Sequence, residues 1–408
     1  MDEPKGADDE QLVSGFDLRA LTPEFLADPY PTYRALRRLS PLHELPDGGL
    51  FLTRYADCEA VYRARATSSD KRQMFKPTLG EGPIFEHHTT SLVFNDPPYH
   101  TRVRHAVQGA LIARVLKSME APLSALVERL LDAGQARGSF DLIEDFAAAI
   151  PIEVIGNLLR IPLADRGPLR AWSLSILGAL ESRVSPEVLH QANEAVDGFS
   201  TYLRGLVAQR RNELLLDGTD ALSLLIAAPG QAPLSEKELV HNAIFLLNAG
   251  HETTTNLIGN GVAALLEAPH VHACLRGQPD LIGSAVEEFL RYESSNQLGN
   301  RVLTAPLELN GRTVQAGTPL TLCIGAANRD PRQFDNPDTL DIKRRPNRHL
   351  AFGMGIHACA GMALARMEAR IAVGQLVQRF ENLTPDGEIA RSGRARFRGF
   401  LRYRVRIG

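Results

Sequence analysis

The sequence predicts a mainly α-helical protein with a few small β-sheets. From about residue 100 to 290, apolar residues recur mostly at the spacing of amphipathic helices. Two stretches instead alternate around glycine-containing turns, one at Asp47-Gly48-Gly49 and one between roughly residues 300 and 325. Because these strand signals are interleaved with helical ones, we expect an α+β architecture without segregated domains.

Composition and charge exclude several functional classes. The 408-residue chain is 44% hydrophobic and 23% charged, which is typical of a globular protein with a substantial core. A formal net charge of -3 gives no sign of the basic face that binds nucleic acid. No apolar run approaches the roughly 18 residues of a membrane-spanning helix, and the acidic start is not a secretory signal. We therefore expect no nucleic-acid or membrane partner.

The cysteines and the chain start suggest the compartment and the domain limits. Four cysteines lie far apart and include no CxxC pair, which argues against a disulfide framework or a structural zinc site and for a reducing cytoplasm. We expect residues 1–15 to form a flexible acidic segment and residues 16–408 to form a single domain. The four cysteines are Cys58, Cys274, Cys323 and Cys359.

Cys359 lies where a glycine-rich loop meets a predicted helix, in HLAFGMGIHACAGMALARME. From Met362 the sequence is rich in residues that favour helix. Free N–H groups and the positive end of the helix dipole are expected to lower the pKa of a thiol there. The glycines allow tight turns and the close approach of a flat, bulky group. The alternative is a buried structural cysteine, which is the interpretation we favour for the other three.

A long helix is predicted in SEKELVHNAIFLLNAGHETTTNLIGNGVAALLEAP. It begins with Ser235 and Glu238 in capping-box spacing and continues for about 33 residues. Its middle places a glycine, an acid and hydroxyls in an apolar context. A solvated stripe on an amphipathic helix is one interpretation. The other is a local opening of the helix, eased by Gly250, that brings Glu252 and Thr253 to one cavity.

The cysteine loop resembles a known family signature. FGMGIHACAG matches, position by position, the haem-binding signature of the cytochrome P450 family, and the chain resembles a soluble bacterial member. The resemblance implies the cytochrome P450 fold, with haem b between the long central helix and the cysteine-loop helix. It implies that Cys359 is the thiolate ligand of the haem iron. Phe352, Gly353 and Ala249 are implied to contact the haem.

The long helix also matches a motif of this family. AGHET resembles its oxygen-activation motif, which implies that Thr253 hydrogen-bonds dioxygen and that Glu252 relays protons from solvent. We interpret His251 as a packing or surface histidine, with a part in the relay as the alternative.

Charged residues elsewhere are implied to have structural and cofactor-binding roles. Glu288-x-x-Arg291 resembles a structural pair of the family, although a surface salt bridge is the usual meaning of this spacing. Arg344 is the best match for its third member, with Arg345 as the rival. The residues implied to hold the haem propionates, any of which could instead be an ordinary surface charge, are His100, Arg104, Arg301 and His357.

The reaction implied by the resemblance is the insertion of one oxygen atom from dioxygen into a small or medium organic substrate, by hydroxylation, O-dealkylation or epoxidation. The other oxygen atom leaves as water. Because only about 50 residues follow Cys359, we expect electrons from NAD(P)H to arrive through a ferredoxin and its flavin-containing reductase. The protein itself is expected to be a monomer. A candidate docking face contains Arg102, Arg114, Lys117, Arg366 and Arg370.

Three other functions stay open at this point. The first is a hydrogen-peroxide-driven peroxygenase, which the adjacent Glu252 and Thr253 argue against. The second is a non-catalytic haem protein, and the third is a thiolate-based enzyme without a cofactor. A moderately polar substrate is expected, because the pocket implied by the resemblance mixes apolar and polar side chains. Its segments are 75–95, 165–195, 245–253, 296–303 and 397–400. They contain apolar Phe85, Leu246 and Leu298 and polar His87, His88, Asn296, Gln297 and Asn300.

Overall fold

The computed structural model describes residues 7–212, 220–227 and 233–408. These residues form 17 α-helices and ten β-strands, which confirms the prediction of a mainly helical protein with small sheets. The helices are α1 (Ala7–Ser14), α2 (Pro23–Ala27), α3 (Tyr30–Leu39), α4 (Tyr55–Arg63), α5 (Arg72–Leu79), α6 (Pro83–Thr90), α7 (Tyr99–Ala110), α8 (Ala113–Arg137), α9 (Ala149–Leu158), α10 (Leu169–Gly178), α11 (Pro186–Asn212), α12 (Ala221–Ala227), α13 (Glu236–Glu267), α14 (Pro269–Gly277), α15 (Ile282–Tyr292), α16 (Ile324–Ala327) and α17 (Met362–Arg379). The strands are β1 (Leu42–Glu44), β2 (Leu50–Leu52), β3 (Thr67–Ser68), β4 (Ser139–Asp141), β5 (Leu298–Leu303), β6 (Leu307–Leu309), β7 (Arg312–Val314), β8 (Pro319–Cys323), β9 (Leu383–Arg391) and β10 (Phe400–Ile407).

Both predicted strand regions are confirmed. The largest sheet has the order β1-β2-β8-β5-β3, and its β1 and β2 form the predicted antiparallel hairpin. Asn310 and Gly311 join β6 to β7 with φ values of 49° and 72°, as a tight hairpin turn requires. The sheet β4-β10-β9 was not predicted. Its strand β9 contains Pro385 and leaves most side chains partly or fully exposed, so it lacks clear apolar alternation.

The predicted long helix is α13, and its 32 residues form the centre of the helical body. The Ser235 hydroxyl accepts from the Glu238 N–H at 3.3 Å, and the Glu238 carboxylate accepts from the Ser235 N–H at 2.8 Å. The capping box is therefore present. Most side chains from Leu239 to Leu265 are buried, because α9, α10, α11, α15 and α17 all pack against this helix.

The expected flexibility of residues 1–15 stays a prediction, although part of this segment has secondary structure. Ala7–Ser14 is helical and packs against α3. Val13 packs against a small apolar cluster that includes Phe16 and Phe51. Residues 1–6 lie outside the described part of the chain. Among the described helices, none has the length and apolar character needed to cross a lipid bilayer.

Candidate active site

Cys359 lies in a tightly wound loop before α17. Gly353 and Gly355 have φ values of 61° and 71°, in the left-handed region that favours glycine. A Cβ on Gly355 would lie 2.7 Å from the backbone oxygen of Tyr62, so a larger residue does not fit there. The Cys359 N–H donates to the Phe352 carbonyl at 2.9 Å, which closes the loop. The Cys359 side chain lines an internal cavity.

The expected lowering of the Cys359 pKa by the helix terminus is wrong for the protein chain itself. Burial raises the pKa of this thiol, while the Gly361 N–H, Arg104 and Arg366 lower it by less. Since α17 begins only at Met362, the thiol lies just outside the first turn, where the helix dipole weakens. A coordinated metal ion favours the deprotonated form of a thiol, so Cys359 would hold an iron ion as its thiolate.

The cavity lies between the cysteine loop and the middle of α13, which is the position implied for haem b. All four residues assigned to the iron or to the haem face line it, namely Ala249, Phe352, Gly353 and Cys359. The glycines leave room for a flat ligand, and the Cys359 thiol is a soft ligand suited to iron. The residues present therefore fit a haem.

The four residues proposed for the propionates come together at this cavity. Arg104, Arg301 and His357 line it, and the His100 ring lies 4.0 Å from the His357 ring between centroids. Both ring nitrogens of buried His100 lack a hydrogen-bond partner within the described ranges. Burial and the charges of Arg301, His100 and Arg104 lower the pKa of His357 to about 3. An anion would neutralise this excess of positive charge, and haem b carries two carboxylates.

Glu288 is the centre of a largely buried ion-paired scaffold. Its carboxylate accepts from Arg291 Nε and Nη2, each at 2.8 Å, and from Arg344 Nε at 3.2 Å. Asn347 Nδ2 adds a bond at 3.0 Å. The predicted role of Arg344 as the third member is confirmed, while Arg345 is exposed. The surface salt bridge is thus the wrong interpretation, because the Glu288 and Arg291 side chains are 0% exposed.

Thr253 and Glu252 point to different surroundings, since neighbouring side chains on an α-helix are about 100° apart. Thr253 lines the cavity, and its hydroxyl donates to the Ala249 carbonyl at 2.6 Å. Glu252 is 5% exposed and accepts from Arg394 Nη1 at 2.7 and 2.9 Å. Burial raises the pKa of Glu252 to about 7, and Arg394 lowers it by less than burial raises it. A carboxyl with this pKa can gain or lose a proton near neutral pH.

The predicted opening of α13 is wrong, because the α-helix is continuous from Glu236 to Glu267. Gly250 has a packing role instead, since a Cβ there would lie 2.8 Å from Ile155 Cδ1 on α9. His251 is 1% exposed, and burial lowers its pKa to about 3. It is therefore a packing histidine and not a surface one.

Three polar residues near the substrate space were missed in the sequence. Arg394 and Arg396 lie in the loop between β9 and β10, in the arginine-rich run ARSGRARFRGF, where no local signal separates one arginine from another. Lys71 precedes α5 and lines the cavity together with Arg396. Every predicted pocket segment supplies lining residues, whereas Phe85 and Gln297 are not among the side chains that line the cavity.

Comparison with known proteins establishes the class. The sequence model described as Cytochrome P450 matches residues 174–402. The chain is 36% identical to the biotin biosynthesis cytochrome P450 of Bacillus subtilis (strain 168), over 88% of this chain and 91% of that protein. It is 38% identical to the vitamin D(3) 25-hydroxylase of Pseudonocardia autotrophica, over 91% and 89% of the two chains.

Solved structures agree with this assignment. The structure of P450BioI, in complex with an acyl carrier protein ligated to hexadec-9Z-enoic acid, matches with a TM-score of 0.88 and 33% identity, over 94% of this chain and 100% of that one. The chain therefore belongs to the cytochrome P450 family. It is a haem-thiolate monooxygenase that binds haem b.

Proposed function

We propose that this protein inserts one oxygen atom of dioxygen into a small or medium-sized organic molecule, with Cys359 as the iron ligand. One observation carries this proposal: the Cys359 thiol and the Thr253 hydroxyl line the same cavity, from the loop and from α13. Haem b, when bound between them, supplies the redox chemistry and the activation of dioxygen. The named relatives concern biotin biosynthesis and vitamin D(3), so they suggest no common substrate.

The remaining residues would bind and orient the cofactor. Ala249, Phe352 and Gly353 would lie against the porphyrin, because each lines the cavity beside Cys359. The propionates would be held by the cluster of His100, Arg104, Arg301 and His357, in which the two arginines supply positive charge and the histidines can donate hydrogen bonds.

Proton delivery would depend on Glu252 and Thr253. The Thr253 hydroxyl donates to the Ala249 carbonyl, so its oxygen would accept a hydrogen bond from the cavity and pass a proton by exchanging that bond. With a pKa of about 7, Glu252 can gain or lose a proton near neutral pH. Arg394 is 22% exposed at its side chain and would link this buried carboxyl to the solvent side. In this proposal Arg394 is a positioning residue.

Electrons would come from separate proteins, as in bacterial members of the family. We infer a ferredoxin and an NAD(P)H-dependent reductase. Of the candidate docking residues, Arg114, Lys117 and Arg370 are exposed, whereas Arg102 and Arg366 form ion pairs within the chain. We also propose a cytoplasmic monomer of one haem domain, in keeping with four free cysteines.

The test is turnover with isotopically labelled dioxygen. Haem-loaded protein, a ferredoxin, its reductase, NADPH and a compound that shifts the ferric spin state are combined, and the product is analysed by mass spectrometry. We expect one labelled oxygen per product molecule and no product without NADPH. Product formed only with hydrogen peroxide would establish the peroxygenase instead. Failure of every spin-shifting compound to turn over would favour a non-catalytic haem protein.

A further inference from the structure

We propose that the cavity contains an anion subsite, formed by Lys71 and Arg396, that binds a carboxylate group of the organic substrate. The inference rests on the proposed function, since it concerns the part of the cavity that would hold the organic substrate beside the haem. Lys71 lies between β3 and α5, and Arg396 lies between β9 and β10. Both line the cavity together with Asn300 of β5.

Asn300 brings the two cationic side chains together. Its Oδ1 accepts from Lys71 Nζ at 3.2 Å and from Arg396 Nη2 at 2.6 Å. Its Nδ2 donates to Thr321 Oγ1 on the neighbouring strand β8 at 3.1 Å, which fixes the orientation of the amide. The lysine and the arginine therefore share one neutral acceptor at the cavity wall.

The protein provides these two cations with neutral acceptors. Arg396 donates its other bonds to the backbone carbonyls of Leu180 and Leu298, at 3.0 and 2.6 Å. Lys71 is only 9% exposed, and its Nζ donates to Asn300 Oδ1. Within residues 7–212, 220–227 and 233–408, neither cation has a carboxylate within ion-pair distance. Two desolvated like charges side by side are unfavourable unless an anion accompanies them.

The electrostatics around Lys71 agree with this geometry. Burial lowers the pKa of Lys71 well below its usual value, and the charges of Arg396 and Arg301 lower it further. Glu181 accepts from the backbone N–H of Arg396 at 3.3 Å and partly opposes the effect of burial on the pKa of that arginine. A bound carboxylate would favour the charged form of Lys71 and offset the repulsion.

The other lining residues of the cavity indicate the chemical character of the molecule that carries the carboxylate. The aromatic rings of Phe75 and Phe94 lie 5.7 and 5.0 Å from Lys71 Nζ. Apolar side chains continue from the subsite into the cavity. An organic acid with an apolar body matches both surfaces, because its carboxylate would bind the cations while its body packs on the apolar wall. The apolar lining includes Leu92, Ile176, Leu177, Leu246, Leu298 and Phe397.

The test compares carboxylic acids with their primary amides, using dodecanoic, hexadecanoic and 6-phenylhexanoic acid as probes. Binding to ferric haem-loaded protein is followed by the spin-state shift and by calorimetry, neither of which needs turnover. We expect at least one acid to bind roughly tenfold more tightly than its amide, as a charge-assisted hydrogen bond predicts. Lys71→Met should remove this preference and leave amide binding within about twofold, while Lys71→Arg should restore it.

Lys76→Met is the matched control, because Lys76 is a lysine of the same segment with a 63% exposed side chain. It should keep the preference for the acid. The subsite is overturned if no acid binds better than its amide, or if Lys71→Met keeps the preference. Loss of haem in Lys71→Met would also overturn the subsite, since Lys71 would then bind a haem propionate instead of the substrate. Absence of turnover with normal acid binding would instead overturn only the proposed function.

Discussion

The ion-paired scaffold around Glu288 and the cavity beside α13 differ in how many of their polar groups have hydrogen-bond partners. In the scaffold, one carboxylate accepts from Arg291, Arg344, Asn347 and the Asp341 N–H. In the cavity wall, polar atoms are left without partners among the described residues. These atoms include both amide atoms of Asn248, His87 Nδ1, His88 Nε2, Ser295 Oγ and Asn296 Oδ1.

This difference separates the part of the molecule that holds the site from the part that binds ligands. A buried carboxylate that accepts several hydrogen bonds holds its partners rigidly, and the strength of such a network depends on each of them. Unpaired donors and acceptors in a cavity cost stability, but they are available to a bound molecule. We therefore expect changes in the scaffold to affect folding and haem retention, and changes in the cavity to affect chemistry with little loss of stability.

The largest expected effect is at Cys359, which lines the cavity. Cys359→Ser should abolish haem-thiolate binding, because an alcohol oxygen does not replace the soft sulfur ligand. The measurement is haem content together with the red-shifted absorption band of the reduced carbon monoxide complex. Cys274→Ser is the control, since this partly exposed cysteine lies on α14. An unchanged thiolate band in Cys359→Ser would refute the assignment.

The second effect tests the scaffold with two adjacent arginines. Arg344→Met should reduce the free energy of unfolding by about 3 kcal/mol, because it removes one member of a buried charge network. Exposed Arg345→Met should change it by less than about 0.5 kcal/mol. Chemical denaturation followed through haem release and circular dichroism measures both. Equal stability of the two variants would show that Arg344 is dispensable to the scaffold.

The third prediction tests the cavity with a substitution that keeps the shape of the side chain and removes its hydroxyl. Thr253→Val should keep haem and stability, but product per NADH consumed should fall roughly tenfold, with more hydrogen peroxide released, since a proton donor is lost. Thr255→Val is the matched control, because its hydroxyl makes the same bond to the carbonyl four residues earlier. Thr254 is less suitable, since it also lines the cavity. The same coupling in Thr253→Val and wild type would mean that another group delivers the proton.

The smallest effect concerns the Glu252–Arg394 pair. Arg394→Met removes the charge that lowers the Glu252 pKa, so the limb of the pH–activity profile due to Glu252 should move up by about one pH unit. Arg394→Lys should largely preserve the wild-type midpoint. An unmoved midpoint in Arg394→Met would exclude Glu252 from the rate-limiting protonation.

The same carboxyl has a predictable effect on stability. Its folded pKa of about 7 exceeds the ordinary value of 4.5, so the folded state keeps the proton longer than the unfolded state. Its contribution therefore falls as pH rises from about 4.5 to 7 and is constant above that range. Glu252→Gln should remove this part of the pH dependence in denaturation experiments.

The sequence by itself determined the local elements of this protein. The capping box of Ser235 and Glu238, the Asn310-Gly311 turn and the glycine loop before Cys359 are each set by residues within a few positions of one another. Short-range hydrogen bonds and backbone preferences decide such features, so their patterns can be read directly. The family signature around Cys359 then indicated the haem and the overall fold.

The tertiary structure alone decided which distant charges meet. Glu252 pairs with Arg394, 142 residues later, and Arg396 reaches Asn300 across 96 residues. In the sequence these arginines look like their neighbours, because a side chain's partner depends on packing between helices and sheets. The opening predicted at Gly250 failed for the same reason, since α13 stays continuous there and Gly250 packs beside Ile155 of another helix. Pairing and burial over such distances are properties of the folded chain, and they set the pKa of Glu252 and the charge of the cavity.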